Sequence, residues 1–288
     1  MIVLENNDLK VVLSFKGAEL ISLIEKKDAT EYIWQADPSI WAYHAPNLFP
    51  IVGGLKDNQL QVSGKKYTLN RHGFARTSTF RKLEAAPNHA HFELRYNEET
   101  LKVYPFKFEF QVIYHLDGRT LKVMYKVINM DEQTIYFSVG AHPAFNVPLK
   151  DGETFEDYYL AFQYPEELKS HQLSENGLFN GKLMDVPLNH QKLQLNKSLF
   201  EKDALVFKNL KSREVILKSD KSTKQVKVNF THFNYLGLWS KTDAPFVCIE
   251  PWLGCADSEE GHQDISKKEA ILELKHGHVF ETDFSITI

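Results

Sequence analysis

One glutamate interrupts a run that otherwise has the pattern of a buried strand. In "PFVCIEPWLG", residues 245–254, alternation places Phe246, Cys248 and Glu250 on one strand face. Pro251 restricts Glu250 to extended backbone and favours an end of the strand at that point. Burying an unpaired carboxylate costs several kcal/mol. Position alone leaves two interpretations of Glu250, an ion pair at a sheet edge or a group that acts on a ligand.

A histidine stands in a similar place in "YFSVGAHPAFNVP", residues 136–148. The pattern predicts a strand that ends near Gly140, and the proline after His142 favours extended backbone there. A histidine whose pKa is near neutrality can donate a proton to an oxygen in a transition state. The alternative is a structural histidine whose ring is satisfied by the backbone.

Two further stretches carry polar side chains that suit a sugar or an anion. In "NRHGFART", residues 70–77, Arg71, His72 and Arg76 surround a glycine that permits a tight bend. In "EKDALVFKNL", Asp203 precedes an apolar strand, where a carboxylate can accept hydrogen bonds from two hydroxyls. Capping of the strand is the more common role for such an aspartate.

Metal and cofactor chemistry have little support in the sequence. His72, His142 and Glu250 lack metal-ligand spacing, and the HxH pair His276 and His278 has no third ligand nearby. The sequence has no GxGxxG, no P-loop and no GxSxG motif. We therefore predict no metal and no organic cofactor.

Composition narrows the class of partner. The chain has 288 residues, 34 basic and 38 acidic side chains mixed along its length, and a formal charge of -4. No basic or acidic block predicts binding to nucleic acid or a membrane surface. The first residues do not resemble a secretion leader, and no apolar run is long enough for a membrane span. Cys248 and Cys255 are expected to be reduced thiols. We expect a cytoplasmic protein with a small-molecule ligand.

The dominant hydrophobic period is two, which is typical of half-buried strands. The strongest prediction is a hairpin from Phe108 to Asn129, with Asp117-Gly118 at its turn. Helical signals are few, the best being a short helix capped by Ser258 or Asp264. Residues 151–200 show weak periodicity and predict a long surface excursion. The pattern favours an all-β, antiparallel fold with few short helices in one domain, residues 1–288.

The order of these motifs resembles the aldose 1-epimerase (galactose mutarotase-like) family, and within it the LacX-like branch. The resemblance runs from "FKGAELISLIEKKDATEYIW" through "HGFAR", "GAHPAFN" and "DALVF" to "CIEPW". It implies a large antiparallel β-sandwich, the galactose mutarotase-like supersandwich. It also implies a cofactor-independent isomerase that interconverts the α and β anomers of a hexose.

The resemblance assigns roles residue by residue. Glu250 matches the general base, His142 the general acid, and His72 a histidine that holds the ring-oxygen region. Asp203 matches a strand that binds sugar hydroxyls. We expect Trp252 or Phe74 to present an aromatic face to the sugar ring.

One departure from the family pattern leaves the substrate open. The galactose mutarotases have an asparagine–arginine pair in an early loop, whereas "APNLFPIVGG", residues 45–54, contains no arginine. Arg76 resembles instead an arginine of the hexose-6-phosphate epimerase branch. The substrate is therefore a free or a phosphorylated hexose, and a non-catalytic sugar-binding β-sandwich is the alternative from another class.

Overall fold

Strands dominate the structure, a computed structural model that describes residues 1–261 and 263–288. Helical structure in the described residues is limited to short segments. These are α1 (Glu98–Val103) and 3-10 turns at Lys56–Asn58, Ala75–Thr77, Phe155–Asp157 and Ile265–Lys267. No helix in these residues is both long and apolar enough to cross a membrane.

The strands are numbered in chain order. Those of the first half are β1 (Ile2–Glu5), β2 (Leu9–Leu13), β3 (Leu20–Glu25), β4 (Thr30–Glu31), β5 (Asn47–Leu48), β6 (Gln59–Val62), β7 (Lys65–Thr68), β8 (Arg81–Ala86), β9 (His89–Arg95), β10 (Phe108–Asp117), β11 (Thr120–Asn129), β12 (Ile135–Phe137), β13 (Val139–Ala141) and β14 (Ala144–Asn146). Those of the second half are β15 (Tyr158–Phe162), β16 (Leu168–Leu173), β17 (Phe179–Val186), β18 (Lys192–Gln194), β19 (Leu205–Phe207), β20 (Glu214–Ser219), β21 (Gln225–Asn229), β22 (Tyr235–Trp239), β23 (Phe246–Leu253), β24 (Leu272–Leu274) and β25 (Val279–Thr287).

Two large antiparallel sheets enclose the main core. The first has nine strands in the order β18-β15-β20-β21-β25-β11-β10-β9-β8, and the second runs β19-β22-β23-β13-β5 with β14 also paired to β23. The ring of Phe49, beside β5, stacks at 4.5 Å on Phe110 of the nine-stranded sheet. Burying each such side chain contributes about 1.5–3 kcal/mol. The all-β, antiparallel sandwich expected from the sequence is confirmed, and the assignment of residues 1–288 to one domain stays a prediction.

The hairpin of β10 and β11 is confirmed in its full length. Phe108 pairs with Asn129, and the ladder runs to Asp117 opposite Thr120. The two loop residues are Gly118 and Arg119, one position later than the sequence indicated. Only Gly118 has a positive φ, 51°, so one glycine is enough for this turn.

The segment 151–200 is more regular than its sequence predicts. It contains β15 and β18, which pair within the nine-stranded sheet, and the hairpin of β16 and β17. The periodicity is weak because several of these strands are short and β16–β17 carries a register shift. The excursion is therefore part of the sandwich with one projecting hairpin.

The short helix predicted near residue 260 is a single 3-10 turn. The Asp264 carboxylate accepts from the backbone N–H of Ser266 and caps Ile265–Lys267, as expected for one of the two candidate caps. Ser258 caps no helix; it forms a bridge with Phe179. His262, which lies in the same stretch, falls outside the described residues.

Candidate active site

Strand β23 continues through Pro251, contrary to the expected end at Glu250. On one side it pairs with β22 along residues 248–252. On the other side residues 246–248 pair with β14 and residues 252–253 with β13. Pro251 falls where the second neighbour changes, so its missing N–H breaks neither of these short ladders.

The same change of neighbour brings His142 to Glu250. His142 and Pro143 are the two residues between β13 and β14, and both of those strands pair with β23. His142 Nε2 lies 3.1 Å from Glu250 Oε2, and both side chains are buried. Glu250 Oε2 and His142 Nδ1 have no hydrogen-bond partner among the described residues. The sheet therefore brings together two buried ionisable residues that are 108 positions apart.

A cavity of about 190 Å³ opens above this pair. His142, Glu250, His72, Arg76, Asp203 and Trp252, six of the seven residues singled out for the site, line it. Phe74 is the exception, because its ring packs against Phe49, Tyr104 and Phe108 in the main core. The structure thus does not bring Phe74 to the cavity.

Tryptophans supply the aromatic walls instead. Trp41 stacks on the His142 ring at a centroid distance of 5.0 Å, and Trp239 meets the same ring edge-on at 5.9 Å. Together with Trp252, three of the four tryptophans of the chain line the cavity. The small number of tryptophans was a signal of the site that the sequence contained, because the apolar face of a tryptophan ring packs well against the C–H face of a sugar.

His72 is held in one tautomer. Its Nδ1 accepts a hydrogen bond from the backbone N–H of Gly53 at 3.1 Å, so the neutral ring carries its proton on Nε2. Burial lowers the pKa of His72 well below its usual range, and the guanidinium charges of Arg76 and Arg71 act in the same direction. A neutral His72 therefore offers an N–H donor rather than a charge.

Backbone strain marks two of the lining residues. His72 has φ +66° and Asp203 has φ +91°, both in the left-handed region that side chains other than glycine rarely adopt. The Asp203 carboxylate accepts from the N–H of Ala204 at 2.7 Å, which favours this conformation. This conformation fixes the direction in which each of the two side chains leaves the backbone.

Burial shifts the protonation of the acid–base pair toward neutral groups. It raises the pKa of the Glu250 carboxyl well above its usual range, and the Asp203 carboxylate raises it further. Burial also lowers the pKa of His142 to about 3, with a smaller effect of the Arg76 guanidinium. These directions favour a single proton on the pair, carried by Glu250, over a wide range of pH. His142 Nε2 and Glu250 Oε2 are 3.1 Å apart without hydrogen-bond geometry, and a small side-chain movement would align them for transfer of that proton.

Two arginines stand at one side of the cavity. The Arg76 guanidinium lies over the Tyr43 ring at 5.0 Å, and its Nη2 donates to the carbonyl of Arg71. Its buried Nε has no hydrogen-bond partner among the described residues. Arg71 donates to the carbonyl of Asn176, in the turn of the β16–β17 hairpin. The projecting hairpin thus forms part of the cavity wall, which the sequence pattern did not indicate.

A buried ion pair fastens the loop that orients His72. Lys268 Nζ donates to Asp257 Oδ1 at 2.7 Å, and Asp257 Oδ2 accepts from the N–H of Lys56 at 2.9 Å. The N–H of Asp257 donates to the carbonyl of Gly54. A Cβ on Gly53 would lie 2.6 Å from the Ala256 backbone, so only glycine fits this close approach.

The fold and the site together define a β-sandwich protein with a buried histidine–glutamate pair at the floor of an open cavity. The sequence matches the model of the Aldose 1-epimerase family over residues 1–269. The chain therefore belongs to the aldose 1-epimerase family, which supports a general mutarotase or epimerase role.

Individual relatives agree with this assignment. "Protein LacX, plasmid" of Lactococcus lactis subsp. lactis is 38% identical, over 99% of this chain and 98% of that protein. A galactose mutarotase related enzyme from Lactobacillus acidophilus superimposes with a TM-score of 0.95 at 38% identity, over 99% of this chain and 96% of that one. A galactose mutarotase-like protein from Lactobacillus casei ATCC 334 gives 0.93 at 32% identity, over 100% and 99%.

Proposed function

We propose that this protein is an aldose 1-epimerase that interconverts the α and β anomers of a hexose. The observation that carries the proposal is the contact between His142 Nε2 and Glu250 Oε2, 3.1 Å apart at the floor of the cavity. The anomeric hydroxyl and the ring oxygen of a sugar are bonded to the same carbon. An acid and a base this close together are therefore able to serve both oxygens at once.

In this mechanism Glu250 removes the proton of the O1 hydroxyl as the C1–O5 bond breaks. Protonated His142 donates its proton to O5, which leaves an open-chain aldehyde with a hydroxyl on C5. Rotation about the C1–C2 bond exposes the other face of the carbonyl. On reclosure His142 takes the O5 proton back and Glu250 returns one to O1, so the pair ends with the proton it began with.

The other lining residues position the sugar and its developing charge. The fixed Nε2–H of His72 stabilises negative charge on the ring oxygen, as preorganised donors do. Asp203 and Arg76 hold hydroxyls, and Trp252 packs on the ring. The unpaired polar atoms of the cavity are the groups that a sugar would satisfy.

The anomer exchange rate tests this function. Freshly dissolved α-glucose, α-galactose and their 6-phosphates are followed to equilibrium, with saturation-transfer NMR on wild type, Glu250→Gln and His142→Asn. We expect wild type to accelerate at least one of them and each variant to lose about 10² to 10⁴ in rate. Glu93→Gln is the matched control, because Glu93 is a buried glutamate that pairs with Arg81 outside the cavity.

A wild-type protein that accelerates no anomer exchange would contradict the proposed function. If no sugar is accelerated while one still binds, the enzyme assignment is wrong and the cavity belongs to a non-catalytic sugar-binding β-sandwich. Glu250→Gln would then leave affinity nearly unchanged, because binding alone needs no proton transfer.

A hexose-6-phosphate 1-epimerase is the second candidate, and one observation favours it. Arg71 and Arg76 both line the cavity, and guanidinium groups suit a phosphate. Arg76→Ala should then lose the phosphorylated sugar selectively and retain the free sugar. Equal loss of both would assign Arg76 to the hydroxyls of an uncharged substrate.

A further inference from the structure

Cys248 lies against the acid–base pair and has no role in the mechanism above. It follows the strand alternation expected from the sequence, two residues before Glu250 on the same face of β23. The Cys248 sulfur, a carboxylate oxygen of Glu250 and a ring nitrogen of His142 all lie within 4.8 Å of one another. All three side chains are buried. These three residues are called the N/S/O cluster below.

The N/S/O cluster has the donor set that a thiophilic divalent cation prefers. Imidazole nitrogen, thiolate sulfur and carboxylate oxygen are the protein ligands of Zn²⁺. A tetrahedral Zn²⁺ requires ligand atoms roughly 3.3 to 3.6 Å apart, so side-chain movements of about one ångström close the site. Glu250 Oε2 is fully buried, already 3.1 Å from His142 Nε2, and without a hydrogen-bond partner in the described parts of the chain.

We propose that His142, Cys248 and Glu250 form an inhibitory site for a Zn²⁺-class cation. The fourth position of the cation faces the cavity, where a water molecule completes the tetrahedron. Bound there, the cation occupies the Nε2 and carboxylate atoms that the sugar needs, so the inhibition is competitive with the sugar. The inhibition rests on the proposed epimerase function, whereas the binding of the cation does not.

Binding requires that protons leave the cluster. Cys248 must become a thiolate, because the thiolate is the form of cysteine that binds Zn²⁺. The imidazole and the carboxylate must also be deprotonated to bind the cation. Binding therefore releases protons to solvent, and calorimetry in buffers of different ionisation enthalpy measures their number.

Cobalt absorption tests the binding directly. Co²⁺ is added to wild type, Cys248→Ser and the matched control Cys255→Ser, whose cysteine is also buried and free. We expect a near-ultraviolet thiolate-to-Co²⁺ band in wild type and Cys255→Ser that is abolished in Cys248→Ser and displaced by Zn²⁺. Exposed histidines that bind the metal produce no such band. Absence of the band in wild type, or its loss in Cys255→Ser alone, would overturn the proposal.

Zinc titration of the binding and of the anomer exchange completes the test. Cys248→Ser should bind Zn²⁺ at least about tenfold more weakly than wild type, and its anomer exchange should resist Zn²⁺ to the same degree. If circular dichroism shows that Cys248→Ser is not folded, Cys248→Ala is used in its place. If no sugar is exchanged, the epimerase proposal fails, and the cobalt band still decides the metal site. Equal inhibition of wild type and Cys248→Ser would overturn the inhibitory role.

Discussion

Two buried pairs of ionisable groups, Lys268–Asp257 and His142–Glu250, differ in whether the protein itself satisfies their polar atoms. Lys268 and Asp257 are 2% and 5% exposed, and their polar atoms reach the backbone of Cys255 and Lys56 as well as each other. His142 and Glu250 are 10% and 1% exposed, yet an atom of each has no hydrogen-bond partner among the described residues. The first pair is completed by the protein itself. The second is left incomplete, and the cavity in front of it is where a ligand would complete it.

This difference separates structural from functional charges. A buried polar group that the fold satisfies holds two loops together, whereas one that the fold leaves unsatisfied lowers stability until a ligand arrives. Stability should therefore depend on the Lys268–Asp257 pair and activity on the His142–Glu250 pair. Four predictions test this division, beginning with the largest effect.

Lys268→Met should destabilise the protein by about 3–5 kcal/mol, because it leaves the Asp257 carboxylate buried without its counter-ion. Urea denaturation followed by circular dichroism measures the change. Lys197→Met is the control: Lys197 pairs with Asp243 at 2.9 Å, but both are exposed, and the expected loss is at most about 1 kcal/mol. Equal losses in the two variants would contradict the structural role of the buried pair.

The unfolding free energy of His142→Asn should fall less than that of wild type as the solution becomes acidic. The unfolded chain protonates His142 near its usual pKa of 6.5, whereas the folded chain does so only near about 3. Between these values the unfolded state binds the proton first, so the unfolding free energy of wild type falls as the pH falls, on the order of a few kcal/mol. The difference between variant and wild type should be constant above about pH 7. Parallel curves in acid would contradict the prediction.

Glu250→Gln should be as stable as wild type at neutral pH, or more stable by about 1 kcal/mol. The folded pKa of Glu250 is raised, so the unfolded state ionises first as the pH rises above 4.5. Wild type therefore loses stability relative to the variant in that direction. Glu93→Gln should behave oppositely and lose about 1 kcal/mol, since the Glu93 carboxylate accepts two hydrogen bonds from Arg81. A large loss in Glu250→Gln would assign Glu250 to structure.

The smallest effect is expected in the pH dependence of catalysis. The single proton of the pair persists because burial lowers the pKa of His142 and raises that of Glu250. We expect kcat/KM to change less than about twofold between about pH 5.5 and 7. A tenfold fall per pH unit below about 6.5 would indicate a histidine with an unshifted pKa that acts alone.

The parts of the fold that depend on neighbouring residues were predictable. Strand alternation placed Cys248 and Glu250 on one face of β23, and the hairpin from Phe108 to Asn129 follows from local pattern and a turn glycine. The position of the turn was wrong by one residue, because Asp117 still pairs in the ladder. The prediction that Pro251 ends the strand was wrong, because the neighbour of β23 changes at that point.

The site itself depends on contacts that no local pattern encodes. His142 meets Glu250 only because β13 and β14 both pair with β23, and register between distant strands is not readable from periodicity. Phe74 was expected to present an aromatic face to the sugar, yet its ring packs in the core. The walls from Trp41 and from the β16–β17 hairpin come from segments without a motif. The expectation that Glu250 and His142 act together came from the resemblance to the family and not from the spacing of the residues.

The position of β25 in the nine-stranded sheet has a consequence for folding. This strand pairs with β21 on one side and with β11 on the other, so it alone joins two four-stranded halves. Until residues 279–287 insert, each half presents an open edge with unpaired amides and carbonyls. We expect slow folding that ends with the insertion of β25 between β21 and β11. When this insertion is delayed, we expect aggregation through the open edges. Closure of the nine-stranded sheet, against which the strands of the candidate site pack, would then depend on β25.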